Sequence, residues 1–459
     1  MIKKINKLVG LKKTEFDEYV NNGKITLSEA RLIPLLKTGD EMALTSILMS
    51  SIRLVKEFRY QIFKELKLKR SGKAYFYTEV CFEDIDKSSR LDGLILIVVS
   101  VVIQDAVFIE VKNKNEVIKN EQITKYYKLA QALNNVPKIL TISNQFVSDS
   151  TQSPIIIKNQ SKKITLHHFS WTYIKTLAQL LLFDNDDNID DEDQIEIMKE
   201  VMHYLDDERS GVSGFHRMSK EWKEVAENVK VNESLSDDKV LINAITSWYQ
   251  EETDMTLMLS RELGVLVKSD VENPKTKLVK DIKRLKKEHS LSTKLRVRGA
   301  VSDIKVTVDF ERRTIAMSVS VTPPLNGGVI SRITWIKKQL SKMSNQSFLE
   351  HLYIDADIKY TSNSIKYKYS DFDKFYEHDD IKNKDIIGFN LDVIKSAKFT
   401  QVEKFVKEIE AMLLDYYQII VQDLKTWEKS APKLQPKKEV KVIEKPNEEL
   451  KQQINNKQL

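Results

Sequence analysis

The sequence predicts an α/β unit over residues 1–185, a helical stretch over 186–292, an α+β domain over 293–428 and a tail over 429–459. Three observations carry this. The first 170 residues run helix, three strands, helix, strand, the order of a compact mixed sheet with helices against it. Residues 194–289 keep a helical period, broken at Ser210-Gly211-Val212-Ser213-Gly214. Beyond 293, short alternating runs return, punctuated by Pro323-Pro324 and Gly327-Gly328.

Residues 1–45 read as short helices and loops, with cap chemistry and helix formers in Thr26-Leu27-Ser28-Glu29-Ala30-Arg31-Leu32. A stronger helix is expected from Glu41 to Leu68. Its apolar positions, among them Leu44, Ile47, Leu48, Ile52, Val55 and Phe58, fall three and four apart. Ser71-Gly72 ends it. Strands follow at Ala74–Phe82, Arg90–Ile103 and Ala106–Lys112, the last two rich in Val and Ile. A hairpin turn is placed at Gln104-Asp105. Glu116–Asn134 has helical period, Lys138–Ser143 and Lys163–His168 read as strands, and Trp171–Phe183 as a closing helix.

The acidic run 184–193 lacks the Gly and final Glu of a calcium loop and reads as a linker or a solvated helix start. Further helices are expected at Asp237–Arg261 and at the lysine-rich segment Lys275–His289, which reads either as a solvated face or as a tracker of phosphates. In the last domain, strands are expected at Leu295–Ala300, Ile304–Phe310, Thr314–Thr322, His351–Tyr360 and Ser364–Tyr369. Helices are expected at Ser331–Met343 and Gln401–Trp427. The Lys-, Glu-, Pro- and Gln-rich tail is too poor in apolar residues to build a core.

Composition bounds the function classes. With 459 residues and 41% hydrophobic content there is material for more than one core. A net charge of +6 from 73 basic and 67 acidic residues does not argue for nucleic-acid binding, so any such footprint must be local. One cysteine, Cys81, excludes an internal disulfide framework and fits a reducing, cytoplasmic setting. The most apolar run, Leu94–Ile103, is too short to cross a bilayer and reads as a buried strand. No membrane partner is therefore expected.

The chemistry concentrates between residues 91 and 126. Asp92 opens one apolar strand and Glu110 nears the end of the next, so hairpin pairing brings the two carboxylates together. Carboxylates held close repel unless a cation or proton lies between them. Oxygen ligation with room for water suits magnesium or manganese. Lys112 lies two residues past Glu110, on the same face of a strand, where an ammonium can orient a metal-bound water or help it deprotonate. That set of groups suits phosphodiester hydrolysis.

The pattern Arg90-Leu91-Asp92-Gly93, then Phe108-Ile109-Glu110-Val111-Lys112, then Gln122-Ile123-Thr124-Lys125-Tyr126 resembles the PD-(D/E)XK nuclease superfamily, in particular its RecB-like branch. The resemblance covers about residues 45 to 170. Leu91 stands where the superfamily's name has Pro. The resemblance implies a restriction-endonuclease-like sheet flanked by helices, a magnesium or manganese cofactor, and nucleic acid, DNA ahead of RNA, as substrate. It implies Asp92, Glu110 and the Val111 carbonyl as metal ligands, Lys112 acting on the nucleophilic water, and Gln122 and Tyr126 buttressing the site. Members of the superfamily often carry an early acid, for which Glu57 is the best match and Glu79 the rival. Lys112, Lys114, Lys119, Lys125 and Lys128 surround the proposed site.

The expected protein is thus a metal-dependent nuclease, with phage defence or DNA repair as its setting by analogy and the C-terminal regions free for recognition or self-association. The alternative is a catalytically silent nucleic-acid-binding or assembly protein on the same fold. Other polar residues read more plainly. His167 and His168 point to opposite strand faces and cannot share a metal. His203 and His216 are isolated, Cys81 reads as buried and inert, and residues 210–214 as a loop. Gly327-Gly328 reads as a turn. Arg332, Trp335, Lys337 and Lys338 mix charge and ring as nucleic-acid contacts do, and also as any amphipathic helix does.

Overall fold

The computed structural model describes residues 5–426 except 30–31, 33–36, 135, 137, 148–153, 156, 158–160, 162, 184–188, 270–272, 325–326, 344, 361–363, 380 and 382–383. The tail and the first half of the acidic run lie outside the described residues.

Two sheets organise the chain. The first has the order β1-β2-β3-β4-β5-β6, with β1 (Ile25–Glu29), β2 (Lys73–Phe82), β3 (Asp86–Val99), β4 (Val102–Val111), β5 (Lys138–Ser143) and β6 (Thr165–Ser170). β1 to β4 are antiparallel neighbours, while β4, β5 and β6 run parallel. The parallel step from β4 to β5 needs a crossover. It contains α4 (Asn120–Ala132), which buries Ile123, Tyr126, Tyr127, Leu129 and Ala130. The other helices of this half are α1 (Lys13–Asn21), α2 (Glu41–Leu54), α3 (Lys56–Glu65), α5 (Trp171–Leu182) and α6 (Glu192–Asp206).

The period-2 alternation of β3 and β4 sorts side chains into two cores. Ile95, Ile97, Val107, Ile109 and Val111 pack with α2, α3, α5 and α6, whereas Leu94, Leu96, Ala106 and Phe108 pack with α1 and α4. Full burial of each such side chain contributes about 1.5–3 kcal/mol.

Four expectations shift. The long helix from Glu41 breaks at Val55, whose extended backbone separates α2 from α3. Residues 25–29 form a strand, not a helix start, because Ile25–Glu29 pair with β2. The turn between β3 and β4 falls at Ser100-Val101, with Val99 opposite Val102, and not at Gln104-Asp105. Ser100 and Val101 take positive φ (48° and 63°), as a two-residue hairpin with two left-handed positions demands. Asp105 instead lies buried within β4, paired with Lys138 of β5 at 3.1 Å. Finally, the middle helices form no layer of their own. Met198, Val201, Met202 and Leu205 of α6 join the first sheet's core, while α7 (Lys220–Lys230), α8 (Asp238–Leu263) and α9 (Pro274–Glu288) pack with the second half.

The second sheet has the order β12-β11-β13-β10-β9-β8-β7, with β7 (Lys268–Ser269), β8 (Ser290–Arg296), β9 (Ile304–Asp309), β10 (Thr314–Val321), β11 (Leu352–Ile358), β12 (Ser364–Lys368) and β13 (Ile386–Ser396). α10 (Val329–Leu340), the short α11 (Gln346–Leu349) and α12 (Lys374–Glu377), and α13 (Val402–Tyr416) complete it. One face is apolar and builds the core around Trp222 and Trp248; the other carries Lys294, Lys305, Ser318, Ser320, Asp355 and Asp392. Arg332 does not face solvent as a nucleic-acid contact would. It is 7% exposed, pairs with Asp385 and donates to the Ile386 carbonyl, which anchors α10 to β13. Among the described residues no helix is long and apolar enough to cross a membrane.

Candidate active site

The site forms where β4 ends against the middle of β3, with β2 on the other side of β3. Gly93 pairs with Ile109, so the next step of the register sets Asp92 opposite Glu110. On the other side, Thr78 pairs with Gly93 and Val80 with Leu91, which sets Glu79 across from Asp92. Three carboxylate residues therefore stand in a row across three strands. Gly93 is required by packing: a Cβ there would lie 3.2 Å from Ile109 Cβ and 3.5 Å from Met49 Cε of α2.

Asp92 Oδ2 accepts a hydrogen bond from the Val111 amide at 2.7 Å, which locks the carboxylate onto β4. Glu110 is wholly buried. Its Oε2 accepts from the Tyr126 hydroxyl of α4 at 2.6 Å, and that hydroxyl also lies 2.5 Å from the Arg90 carbonyl. The hydroxyl has one proton to give, so the two acceptors share it. Gln122, one helical turn earlier, hydrogen-bonds the Tyr126 side chain. Gln122 thus contacts Tyr126, and Tyr126 in turn holds Glu110.

Lys112 joins the set from the end of β4. Its ammonium lies 3.0 Å from Glu110 Oε1, 2.9 Å from Glu41 Oε2 and 3.1 Å from the Val111 carbonyl. Its carbonyl in turn accepts from Trp171 Nε1 at 3.0 Å. Glu41 was not among the expected site residues. It lies in the first turn of α2, where the helix dipole favours a carboxylate, and its Oε1 accepts from the Asn113 amide at 3.2 Å. Asn113 is the second addition. Its buried side-chain amide donates to the carbonyls of Gly39 (2.9 Å) and Ser210 (2.6 Å), tying two loops to the strand end that carries Lys112. Those loops leave no spare room, since a Cβ at Gly39 would lie 2.2 Å from the Arg209 carbonyl oxygen.

Of the two candidate acids, Glu79 and not Glu57 stands beside the Asp92–Glu110 pair. Glu57 lies in the first turn of α3, makes no contact with this cluster among those described, and keeps a buried Oε2 without a hydrogen-bond partner. Burial raises the Glu79 pKa against the charge and hydrogen bond of Arg90, and the charges of Asp40 and Glu110 add to the rise. Glu79 pairs with Arg90 at 3.6 Å and adopts a left-handed φ of 55°. A non-glycine residue in that region is strained, and such strain gathers at functional sites.

The electrostatics follow from burial and crowding. Burial, then the charge of Glu110, pushes the Asp92 carboxyl well above its usual range, against the Val111 hydrogen bond. Burial lowers the Lys112 pKa, but the Glu110 charge and hydrogen bonds to Glu41 and Glu110 outweigh it and raise the net value. Lys112 is therefore a fixed cation, suited to orienting a ligand oxygen rather than to taking its proton. Burial, then Glu110 and Asp92, holds the Tyr126 phenol far above its ordinary value, so it is a neutral donor.

The other histidine and cysteine residues do not join. His168 is buried on β6, with Nδ1 2.8 Å from Thr141 Oγ1 and Nε2 2.8 Å from the Gln145 carbonyl. Cys81 is buried. Among the described residues, no group of three or more His, Cys, Asp or Glu side chains is arranged to hold a metal ion. No protein-family model, curated protein or solved structure matches this chain.

Proposed function

We propose that the chain is a divalent-metal-dependent phosphodiester hydrolase acting on nucleic acid, DNA ahead of RNA, with a restriction-endonuclease-like core of the PD-(D/E)XK kind. One observation carries the reading: Asp92 and Glu110 face each other at the end of a hairpin, with the Lys112 ammonium 3.0 Å from Glu110. The donor set fits magnesium or manganese. It offers hard oxygens only, from Asp92, Glu110 and the Val111 carbonyl, with the buried Glu110 Oε1 facing the Lys112 ammonium at 3.0 Å. When bound, such an ion polarises the phosphate and acidifies a water. The chain's own residues do the positioning. Asp92 is pinned by the Val111 amide, Tyr126 fixes the Glu110 rotamer, and Lys112 presents a permanent positive charge to an incoming oxygen.

The second reading, a silent nucleic-acid-binding protein, draws on the same ammonium. Lys112 already neutralises Glu110 and Glu41, so the cluster is satisfied without a cation. Cleavage of plasmid and single-stranded substrates with and without magnesium or manganese, by wild type and Asp92→Ala, decides between them. Metal-dependent cleavage lost in Asp92→Ala supports the hydrolase. The absence of any metal-dependent difference on every substrate sinks it. Phage defence and DNA repair remain the settings we propose for such an activity.

A further inference from the structure

The lysine-rich helix α9 pairs its cations with carboxylates: Lys277 with Glu252, Arg284 with Glu288 and Lys286 with Asp238. It is a solvated face. Unpaired cations meet elsewhere, in a cleft of about 200 Å³ beside the candidate site. The cleft lies beyond the carboxyl ends of β4 and β5, between the turns that follow them and the segment 213–217. β4 and β5 run parallel, and parallel sheets hold ligands in crevices outside the carboxyl ends of their strands.

Lys114 and Arg217 supply the charge. Both are exposed, both line the cleft, and no carboxylate among the described residues pairs with either. The one carboxylate residue among the described lining is Glu116. Lys114 lies two residues beyond Lys112, so at most roughly 7 Å of chain separates their backbones.

The walls of the cleft are fastened to each other. The Asn144 side-chain amide donates to the carbonyls of Lys114 (3.0 Å) and Gly211 (2.8 Å), and its Oδ1 accepts from the Ser213 amide at 3.2 Å. The Phe215 amide donates to Asp254 Oδ2 at 2.7 Å, and the Met218 amide to the Val402 carbonyl at 3.2 Å. Arg217 is thus carried by backbone that is tied down on both sides. Groups held in place before binding lose little freedom when a ligand arrives.

We propose that this cleft holds a backbone phosphate of a nucleic-acid strand whose neighbouring phosphate lies at Asp92 and Glu110. Arg217 offers a planar fork to the phosphate oxygens and Lys114 a point charge. The substrate class rests on the hydrolase reading. The pair of cations does not, and binding is measurable without catalysis, so the two can fail separately.

The test uses the full chain in EDTA, where metal-dependent cleavage is blocked. Labelled 20-nucleotide single strands and duplexes are titrated by fluorescence anisotropy against wild type and Lys114→Gln/Arg217→Gln. Lys404→Gln/Lys407→Gln, which removes the same charge from exposed positions of α13, is the control. Thermal melting checks that each variant folds. Loss of two contacts of about 0.7 each should lower the single-strand salt slope by about 1.4, or affinity by roughly 25-fold near 0.1 M salt. The α13 variant should keep the wild-type slope. In parallel, acetylation of Lys114 in wild type is mapped by mass spectrometry with and without oligonucleotide, a readout that needs no variant. Protection of Lys114 supports the site. Absence of binding, wild-type affinity in the folded cleft variant, equal losses in the two variants, or an unprotected Lys114 would overturn it. Protection by pyrophosphate but not by the oligonucleotide also overturns it, in favour of a free polyphosphate. If the cleft binds as expected and no metal-dependent cleavage is found, the cleft stands and the hydrolase reading falls.

Discussion

The Tyr126 hydroxyl stands 2.6 Å from Oε2 of Glu110, and both residues are closed to solvent. A buried carboxylate without its donor suffers the desolvation cost in full. Tyr126→Phe removes that donor while keeping the ring in its core. The expected loss is about 1–3 kcal/mol. Urea unfolding should show a lower midpoint with an unchanged slope. An unchanged midpoint would mean that the bond to Glu110 contributes nothing.

Lys112 sets the larger balance. It is 9% exposed and faces two carboxylates, one of them fully buried. Removing one partner of a buried ion pair costs about 3–5 kcal/mol, because the other charge is left uncompensated. Lys112→Met should therefore destabilise strongly without metal, and Glu110→Gln/Lys112→Met should recover part of the loss. If Asp92 and Glu110 hold a divalent ion, millimolar magnesium or manganese should raise the melting temperature of Lys112→Met more than that of wild type. An ion at 100 times its dissociation constant adds about 2.7 kcal/mol. Equal shifts in the two proteins would separate Lys112 from the ion's place.

Asn113 links the site to the segment 208–214. Gly211 makes that link possible. Its φ is +76°, and a Cβ there would lie 2.6 Å from Lys114 Cγ and 2.8 Å from Asn113 Nδ2. Gly211→Ala thus combines a strained backbone with a clash and should cost more than about 1 kcal/mol. Asn113→Ala leaves the Gly39 and Ser210 carbonyls without this donor and should cost about 1–3 kcal/mol. Limited proteolysis checks the location of the effect: both variants should be cut first within 208–214. Cleavage elsewhere would place the loosening outside this loop.

How much of this was legible depended on whether the cause was local. The apolar alternation of β3 and β4 is written in consecutive residues, so their pairing could be anticipated, but the register could not: a turn at Gln104-Asp105 would set Asp92 opposite Val117, and only the turn at Ser100-Val101 brings it to Glu110. Gln122 and Tyr126 were legible because a four-residue spacing puts them on one helix face. Glu41 and Asn113 were not. Glu41 reads as an acid in a helix's first turn, and its role comes from a lysine 71 residues away. The choice of Glu79 over Glu57 rests on strand register and on a left-handed φ, which no residue type at that position announces. β1 carries Thr-Leu-Ser-Glu, chemistry that suits a helix cap equally well, and only pairing with β2 decides it. β13 carries a strand signal of its own, since Phe389, Leu391 and Val393 alternate.

The last prediction concerns pH. On α8, Glu251 is fully buried with neither carboxylate oxygen hydrogen-bonded, and Asp254 and Glu410 are its titrating neighbours. Burial, then Glu410 and Asp254, raises the Glu251 pKa well above its usual value. Burial raises Asp254 to about 6 and, with the Asp254 charge, Glu410 to about 7. Each group in the folded chain thus keeps a proton that the unfolded chain has lost above about pH 4. Where the folded state binds more protons, stability falls as pH rises. These groups therefore stabilise at low pH; the contribution of Asp254 and Glu410 is lost between about pH 4 and 7, and that of Glu251 is lost as pH rises through its raised pKa. His168 works in the opposite direction. Burial lowers its pKa to about 4, so its contribution is lost as pH falls from about 6.5 to 4. Three carboxyl groups outnumber one imidazole in the shared window, and the carboxyl trend should win. Glu251→Gln removes one of the three. Its stability relative to wild type should rise from pH 5 to pH 8 in urea titrations, and a difference that stays constant over that range would show that Glu251 does not titrate there.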